Sequence, residues 1–298
     1  MRIFETHAHY DDEAFEGDRE EILARFPEAG IGAAVDVAAT LNSIPRVLAL
    51  AERHDGLYAA AGVHPSECAE MKEEDLGVVR EALRHPKTVA IGEIGLDYHW
   101  DTPDRSIQKR WFLAQLQIAK ETGKPVIIHS RDAAEDTMEI LRGFVTGTET
   151  VCGGNIGCGS SGDRKADSGR EEACGRMKTG TCCPGVIHCY SYSVQQALEY
   201  VKMGFYIGVG GVVTFKNARR LKEVVRAIPL ESIVLETDCP YMAPEPHRGE
   251  RNSSLFLPYV VREIAALRNI APETVEETTW RNARRLYRLD RGNPDGTM

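Results

Sequence analysis

Short apolar runs alternate with longer amphipathic stretches almost from end to end of the chain, and this alternation restricts the fold more than any other feature. Strands are expected at Ile3–His7, Gly32–Val37, Leu57–Val63, Val89–Leu96, Val126–Ser130, Val186–Cys189, Phe205–Val209 and Ile233–Asp238. Helical spacing separates them: Arg105–Glu121 sets Ile107, Trp111, Leu113, Leu116 and Ile118 along one side. The stretches Val194–Met203, Ala218–Ala227 and Leu255–Leu267 repeat that spacing. Strands joined through helices run parallel, and eight of them in about 240 residues suit a closed (β/α)8 TIM-type barrel better than an open sheet. An extra C-terminal helix is expected over Pro272–Leu289, with Pro272 in its first turn.

The 298 residues fit one barrel domain over 1–290, with 291–298 expected as a disordered tail. No apolar run approaches the roughly 20 residues that span a bilayer, and Met1-Arg2 leads directly into a strand rather than a signal segment. A cytoplasmic, membrane-free protein with mostly reduced thiols is therefore expected. The net charge of -9 disfavours a surface that coats nucleic acid nonspecifically. It permits a cleft that grips a single phosphate.

One region departs from the alternation. Residues 145–184 are rich in Gly, Ser, Thr and charge, and hold Cys152, Cys158, Cys174, Cys182 and Cys183. Such a segment cannot bury a core, so a flexible insertion before the sixth strand is expected. It follows a helix and precedes a strand, which puts it on the barrel's N-terminal face. The cysteine spacing forms no paired CxxC knuckles, so incidental thiols are the expected reading.

Barrel chemistry gathers at the C-terminal ends of strands. In order, those ends carry His7-Ala8-His9, His64, Glu93, His129, His188 and Asp238. Residues two apart on a strand share a face, so His7 and His9 can reach one ion. A lone strand histidine is usually a hydrogen-bonded core residue. Several strand ends each carrying His, Glu or Asp point instead to a shared metal centre, because buried ionisable groups are costly unless paired or metal-bound. The expected cofactors are two divalent ions, with zinc, magnesium and manganese all open. Glu93 is the natural bridge, and Asp238 can both hold an ion and accept a proton from the attacking water. Cys189 and Cys239 each follow a site residue, and strand alternation predicts that both point away from the mouth.

The segments Glu5-Thr6-His7-Ala8-His9, Gly62-Val63-His64-Pro65, Gly92-Glu93-Ile94-Gly95-Leu96-Asp97-Tyr98 and His129-Ser130-Arg131 resemble the TatD family of metal-dependent deoxyribonucleases. The resemblance continues through Val186-Ile187-His188-Cys189-Tyr190-Ser191, Glu236-Thr237-Asp238-Cys239-Pro240-Tyr241 and Arg281-Asn282-Ala283. It implies that His7, His9 and Asp238 hold one ion, that His129 and His188 hold the other, and that Glu93 bridges them. It further implies phosphate contacts from His64 and Arg131, and counts Glu236, on the same strand face as Asp238, among the substrate-binding residues. The implied substrate is DNA, single-stranded and shortened from its 3′ end. Glu5 and Ala8 replace an Asp and a Cys or other small residue common in the family, Tyr192 replaces a Gly, and the 145–184 connection is long. A ring at Tyr192 is expected to narrow the entrance. An amide or ester hydrolase such as a D-aminoacyl-tRNA deacylase uses the same ligands, and an inactive scaffold barrel would lack some of them.

Overall fold

The computed structural model describes residues 2–100, 102–147 and 183–290. Eight parallel strands form one sheet in chain order: β1 (Ile3–Ala8), β2 (Ile31–Val37), β3 (Leu57–Ala61), β4 (Thr88–Asp97), β5 (Val126–Arg131), β6 (Val186–Ile187), β7 (Tyr206–Val209) and β8 (Ile233–Leu235). The helices are α1 (Arg19–Ala24), α2 (Ile44–Arg53), α3 (Leu76–Ala82), α4 (Arg105–Thr122), α5 (Ala134–Thr146), α6 (Val194–Lys202), α7 (Arg219–Ala227), α8 (Leu257–Arg268) and α9 (Pro272–Leu286). An Ala8–Cys239 bridge joins the two edges of the sheet, with the His9 amide donating to the Cys239 carbonyl at 2.9 Å and the Asp238 amide to the His7 carbonyl at 3.0 Å. The expected TIM-type barrel is the fold.

Apolar burial falls into two main layers and a smaller cluster around Tyr10, Phe15 and Leu23. Ile3, Ile31, Ile91, Ile128 and Ile207 belong to one cluster with helix residues such as Val47, Val79, Trp111, Leu141, Val224 and Ile264. Phe4, Val35, Ala60, Ile127 and Val234 belong to another, which takes in Ala283, Leu286 and Tyr287 at the end of α9. Asn282 donates to the Leu230 and Ile233 carbonyls at the start of β8, so α9 packs at the N-terminal end of the barrel. The opposite end stays open for the site. The helix stops at Leu286, short of Leu289, where Tyr287 turns under β1 and its hydroxyl donates to the Thr6 carbonyl at 2.8 Å.

The strands β3, β6 and β8 end well before their apolar runs do. Beyond β3, the Gln115 side chain replaces a strand neighbour, accepting from the Val63 amide at 2.8 Å and donating to its carbonyl at 3.1 Å. Beyond β6 and β8 the chain enters left-handed backbone at Cys189 (φ 45°) and Asp238 (φ 57°). Both site-bearing segments thus leave the ladder. The insertion also begins later than its composition suggests. Helix α5 runs through Thr146 and ends on Gly147 at φ 73°, while Cys183 is buried with its thiol against the Ala119 carbonyl. The remainder of that segment, 148–182, and the tail 291–298 lie outside the described residues. No described helix is long and apolar enough to cross a membrane.

Candidate metal centre

Glu93, buried in the middle of β4, is the hub of the site. Its Oε2 lies 3.5 Å from His7 Nε2 and 3.8 Å from His9 Nε2. Its Oε1 lies 2.8 Å from His129 Nδ1 and 3.6 Å from His188 Nε2. Asp238 Oδ1 sits 3.4 Å from His9 Nε2 and 3.6 Å from both His7 and His188 Nε2. The six residues therefore converge, with one carboxylate oxygen of Glu93 turned to each pair of imidazoles. His188 is the shared member: its ring stacks on His7 at 3.6 Å between centroids, whereas 6.4 Å separates it from His129.

The donor set fits divalent cations. His7 and His9 present Nε2 atoms to each other at 3.1 Å, a contact that needs a proton or a cation between two lone pairs. Buried His7 Nδ1 has no hydrogen-bond partner among the described residues. Outer contacts fix the other rings as ligands require. His9 Nδ1 donates to the Val37 carbonyl at 2.8 Å, and His188 Nδ1 faces Glu236 Oε2 at 3.2 Å, which leaves both Nε2 atoms aimed inward. Charge agrees with geometry. Burial works to raise the Glu93 and Asp238 carboxyls, but His188 and its neighbours hold both below their usual range. Burial and the adjacent His188 push His7 down, toward the neutral form that binds metal. Against the effect of burial, the neighbouring carboxylates push His9 up to about 9 and His188 up to about 10, so a cation has to displace protons from those rings.

His64 plays a different part. Its Nδ1 accepts from the Ser66 amide at 3.1 Å, so in the neutral ring the proton is on Nε2. Burial, then His129, lowers its pKa to about 3, which keeps it neutral. His64 thus offers an N–H donor 4.0 Å from Glu93 Oε1 rather than a lone pair. Arg131 is exposed at the rim with its guanidinium 5.9 Å from the Trp100 ring centroid. Its charge helps, with the hydrogen bonds from His129 and His99, to hold the Asp97 carboxyl below its usual range against the effect of burial.

Several participants escape simple strand-end reading. Asp97 Oδ2 meets His129 Nε2 at 3.0 Å and orients that ring through its outer nitrogen. The signal was present, since residues 93, 95 and 97 alternate along one strand. Gly95 between them has φ +149°, and any side chain there would strike the His129 backbone. Gly208 is likewise required, because a Cβ would occupy the space of the Glu236 carboxylate. Cys189 corrects the alternation argument: its left-handed backbone turns it to line the cleft, beside Met242 at 3.7 Å. Cys239 is fully buried, as expected of a packing residue.

Tyr192 also corrects an expectation. Its hydroxyl pairs with Ser130 Oγ at 3.0 Å and accepts from the Ala133 amide at 3.3 Å, and it is not among the residues lining the cleft. The ring braces the turn that carries Arg131 instead of narrowing the entrance. Tyr192→Phe should cost about 1 kcal/mol of stability, the net worth of such bonds, in chemical denaturation of the purified variant. An unchanged stability would show that the brace is not felt.

Residues 4–288 match the family described as TatD related DNase. The chain is 39% identical over 288 residues to the uncharacterized metal-dependent hydrolase YabD of Bacillus subtilis, covering 97% of this chain and all of that one. It is 32% identical over 273 residues to the uncharacterized metal-dependent hydrolase TatD of Mycobacterium tuberculosis, covering 90% of each. Among solved structures, a TatD homologue from Escherichia coli superposes with a TM-score of 0.80 at 30% identity, over 96% of this chain and 98% of that one.

Proposed function

The chain belongs to the TatD family of metal-dependent hydrolases, and from that premise we propose that it is a deoxyribonuclease that shortens single-stranded DNA from its 3′ end. The divided Glu93 carboxylate, with His7 and His9 on one oxygen and His129 and His188 on the other, supports a two-ion hydrolase. The observation that favours a phosphodiester over a neutral ester is Arg131, exposed in the lining of the same cleft. On this reading Glu93 would be shared between two ions. His7, His9 and Asp238 would hold one, and His129 and His188 would hold the other. When bound, two such ions acidify water and neutralise charge on a phosphoryl oxygen.

The chain's own groups supply the remaining parts. Asp238, kept ionised by the surrounding imidazoles, takes the proton of the attacking water at its carboxylate. His64 donates Nε2–H toward a non-bridging phosphate oxygen. Arg131, exposed at the rim, supplies the fixed positive charge that a phosphodiester requires and a neutral ester does not. Glu236 holds His188 through its Nδ1 and also accepts the Cys189 amide at 2.6 Å, which fixes the loop beyond β6.

Arg131→Ala should raise the KM for single-stranded DNA roughly ten-fold, the scale of one charge-assisted hydrogen bond, with little change for a neutral nitrophenyl ester. Equal effects on both substrates would remove Arg131 from phosphate recognition. The reading as a whole is tested by incubating the purified protein, with Mg²⁺ or Mn²⁺, on 5′-end-labelled single-stranded DNA beside a D-aminoacyl-tRNA. A ladder shortening from the 3′ end is expected. Deacylation without DNA shortening would overturn it in favour of an ester hydrolase.

A further inference from the structure

The cleft, about 1040 Å³ in volume, is poorly charged for holding a polyanion. Arg46 and Arg131 are the Lys or Arg side chains that line it, and Arg46 is paired with Asp11 at 3.2 Å. Asp11, Asp12, Glu13 and Glu67 line it as well, in addition to the carboxylates of the centre. Phosphate contacts alone would therefore grip a strand weakly, so affinity must come from another part of the nucleotide.

Two rings stand where that part would lie. Among the described residues the exposed large hydrophobic side chains are Val78, Trp100 and Tyr241, and both aromatics line this cleft at 59% and 56% exposure. They follow β4 and β8, four places apart in an eight-stranded barrel and so on opposite sides of the metal centre. Each is anchored to backbone that carries site residues. The Tyr241 amide donates to the Asp238 carbonyl at 2.9 Å, and its own carbonyl accepts from Asn252 at 2.7 Å. Beside Trp100, the His99 amide donates to Asp97 at 2.9 Å, and the His99 ring meets Asp132 at 3.0 Å and Trp100 edge-on at 4.8 Å.

We infer that Trp100 and Tyr241 are base-stacking platforms flanking the metal cleft, and that their ligand is the unpaired nucleobases of a single strand. The inference rests on the nuclease reading above and deepens it. Stacking on an aromatic face tolerates any base and needs no extra positive charge, which suits an acidic protein. Bases within a duplex are already stacked on their neighbours, so the same rings favour single strands and frayed ends.

The test uses the full-length, Mg²⁺-supplied protein and two fluorescein-labelled probes with hydrolysis-resistant phosphorothioate links: a short oligothymidylate and an abasic strand of equal length. Trp100→Leu and Tyr241→Leu, both on exposed side chains, should each weaken oligothymidylate binding about ten-fold. The abasic strand should bind weakly to the parent and lose nothing further in the variants. Salt dependence for the parent should be no steeper than about two phosphate contacts allow. Variants that bind oligothymidylate as the parent does would overturn the platforms while leaving the nuclease reading in place. A parent that binds neither probe would overturn both.

Discussion

Glu93→Gln should lower metal-dependent hydrolysis on the order of 10³-fold, the upper range for removing one preorganised electrostatic group, while circular dichroism of the protein stays unchanged. The amide keeps the size of the carboxylate and one acceptor oxygen, so the four surrounding imidazoles retain a neighbour. What it loses is the second anionic oxygen. Because Oε2 serves His7 and His9 while Oε1 serves His129 and His188, an amide nitrogen on either side spoils one half of the centre. Metal content measured on the purified variant should fall in parallel with rate. A variant that kept both would show that Glu93 is not the bridge.

The largest stability effect should come from a residue that contributes no ligand. Glu5 is fully buried at the seam between β1 and the segment after β8. One oxygen accepts the His7 amide at 3.0 Å and the Thr237 amide at 2.9 Å; the other faces the Thr237 hydroxyl at 2.6 Å and Ser254 at 2.9 Å. Burial pushes its pKa up to about 8, so near neutral pH it is largely a neutral acid. Glu5→Ala leaves two buried amides without acceptors and opens a cavity, which together should cost about 3–5 kcal/mol. Glu5→Gln should cost less than Glu5→Ala, because its amide oxygen keeps an acceptor for the His7 and Thr237 amides and the volume is preserved. Its NH2 can no longer accept from the Thr237 and Ser254 hydroxyls, which must turn round to receive it. Urea denaturation of both variants checks this. If Gln proved as damaging as Ala, the ionised form would be the one that holds the seam.

The stability and chemistry of the two residues are linked through β1. Glu5 fixes the His7 amide on one side and Thr237, the neighbour of Asp238, on the other. A single buried side chain thereby sets the spacing between a histidine of the first strand and the carboxylate after the last. Substitution by Asp, the residue common in the resembling family, shortens that reach by one methylene and would have to be met by movement of one edge.

The barrel was legible because its cause is local. Alternating apolar runs and helical spacing report burial residue by residue, and parallel strands joined by helices leave few ways to cover both faces. The candidate site was legible for the same reason: His7, His9, Glu93, His129, His188 and Asp238 lie on strands or just beyond their C-terminal ends, where this fold directs its chemistry, and the structure brings the six together. Strand alternation failed where the chain leaves the sheet. Cys189 has left-handed backbone that no pattern announces, and it faces the cleft instead of the core. Tyr192 reads as an obstruction until its hydroxyl is seen on Ser130 and Ala133. The tautomer of His64 depends on an amide two residues away, and the orientation of His129 depends on Asp97 from another strand.

The sequence by itself thus determined the barrel and which residue types gather at its mouth, since both follow from periodicity and strand position. Only the tertiary structure decided how they share the work: which oxygen of Glu93 faces which imidazoles, which ring nitrogen carries a proton, and which aromatic rings stay uncovered. Those depend on contacts between strands far apart in the chain, whose distances no local pattern encodes.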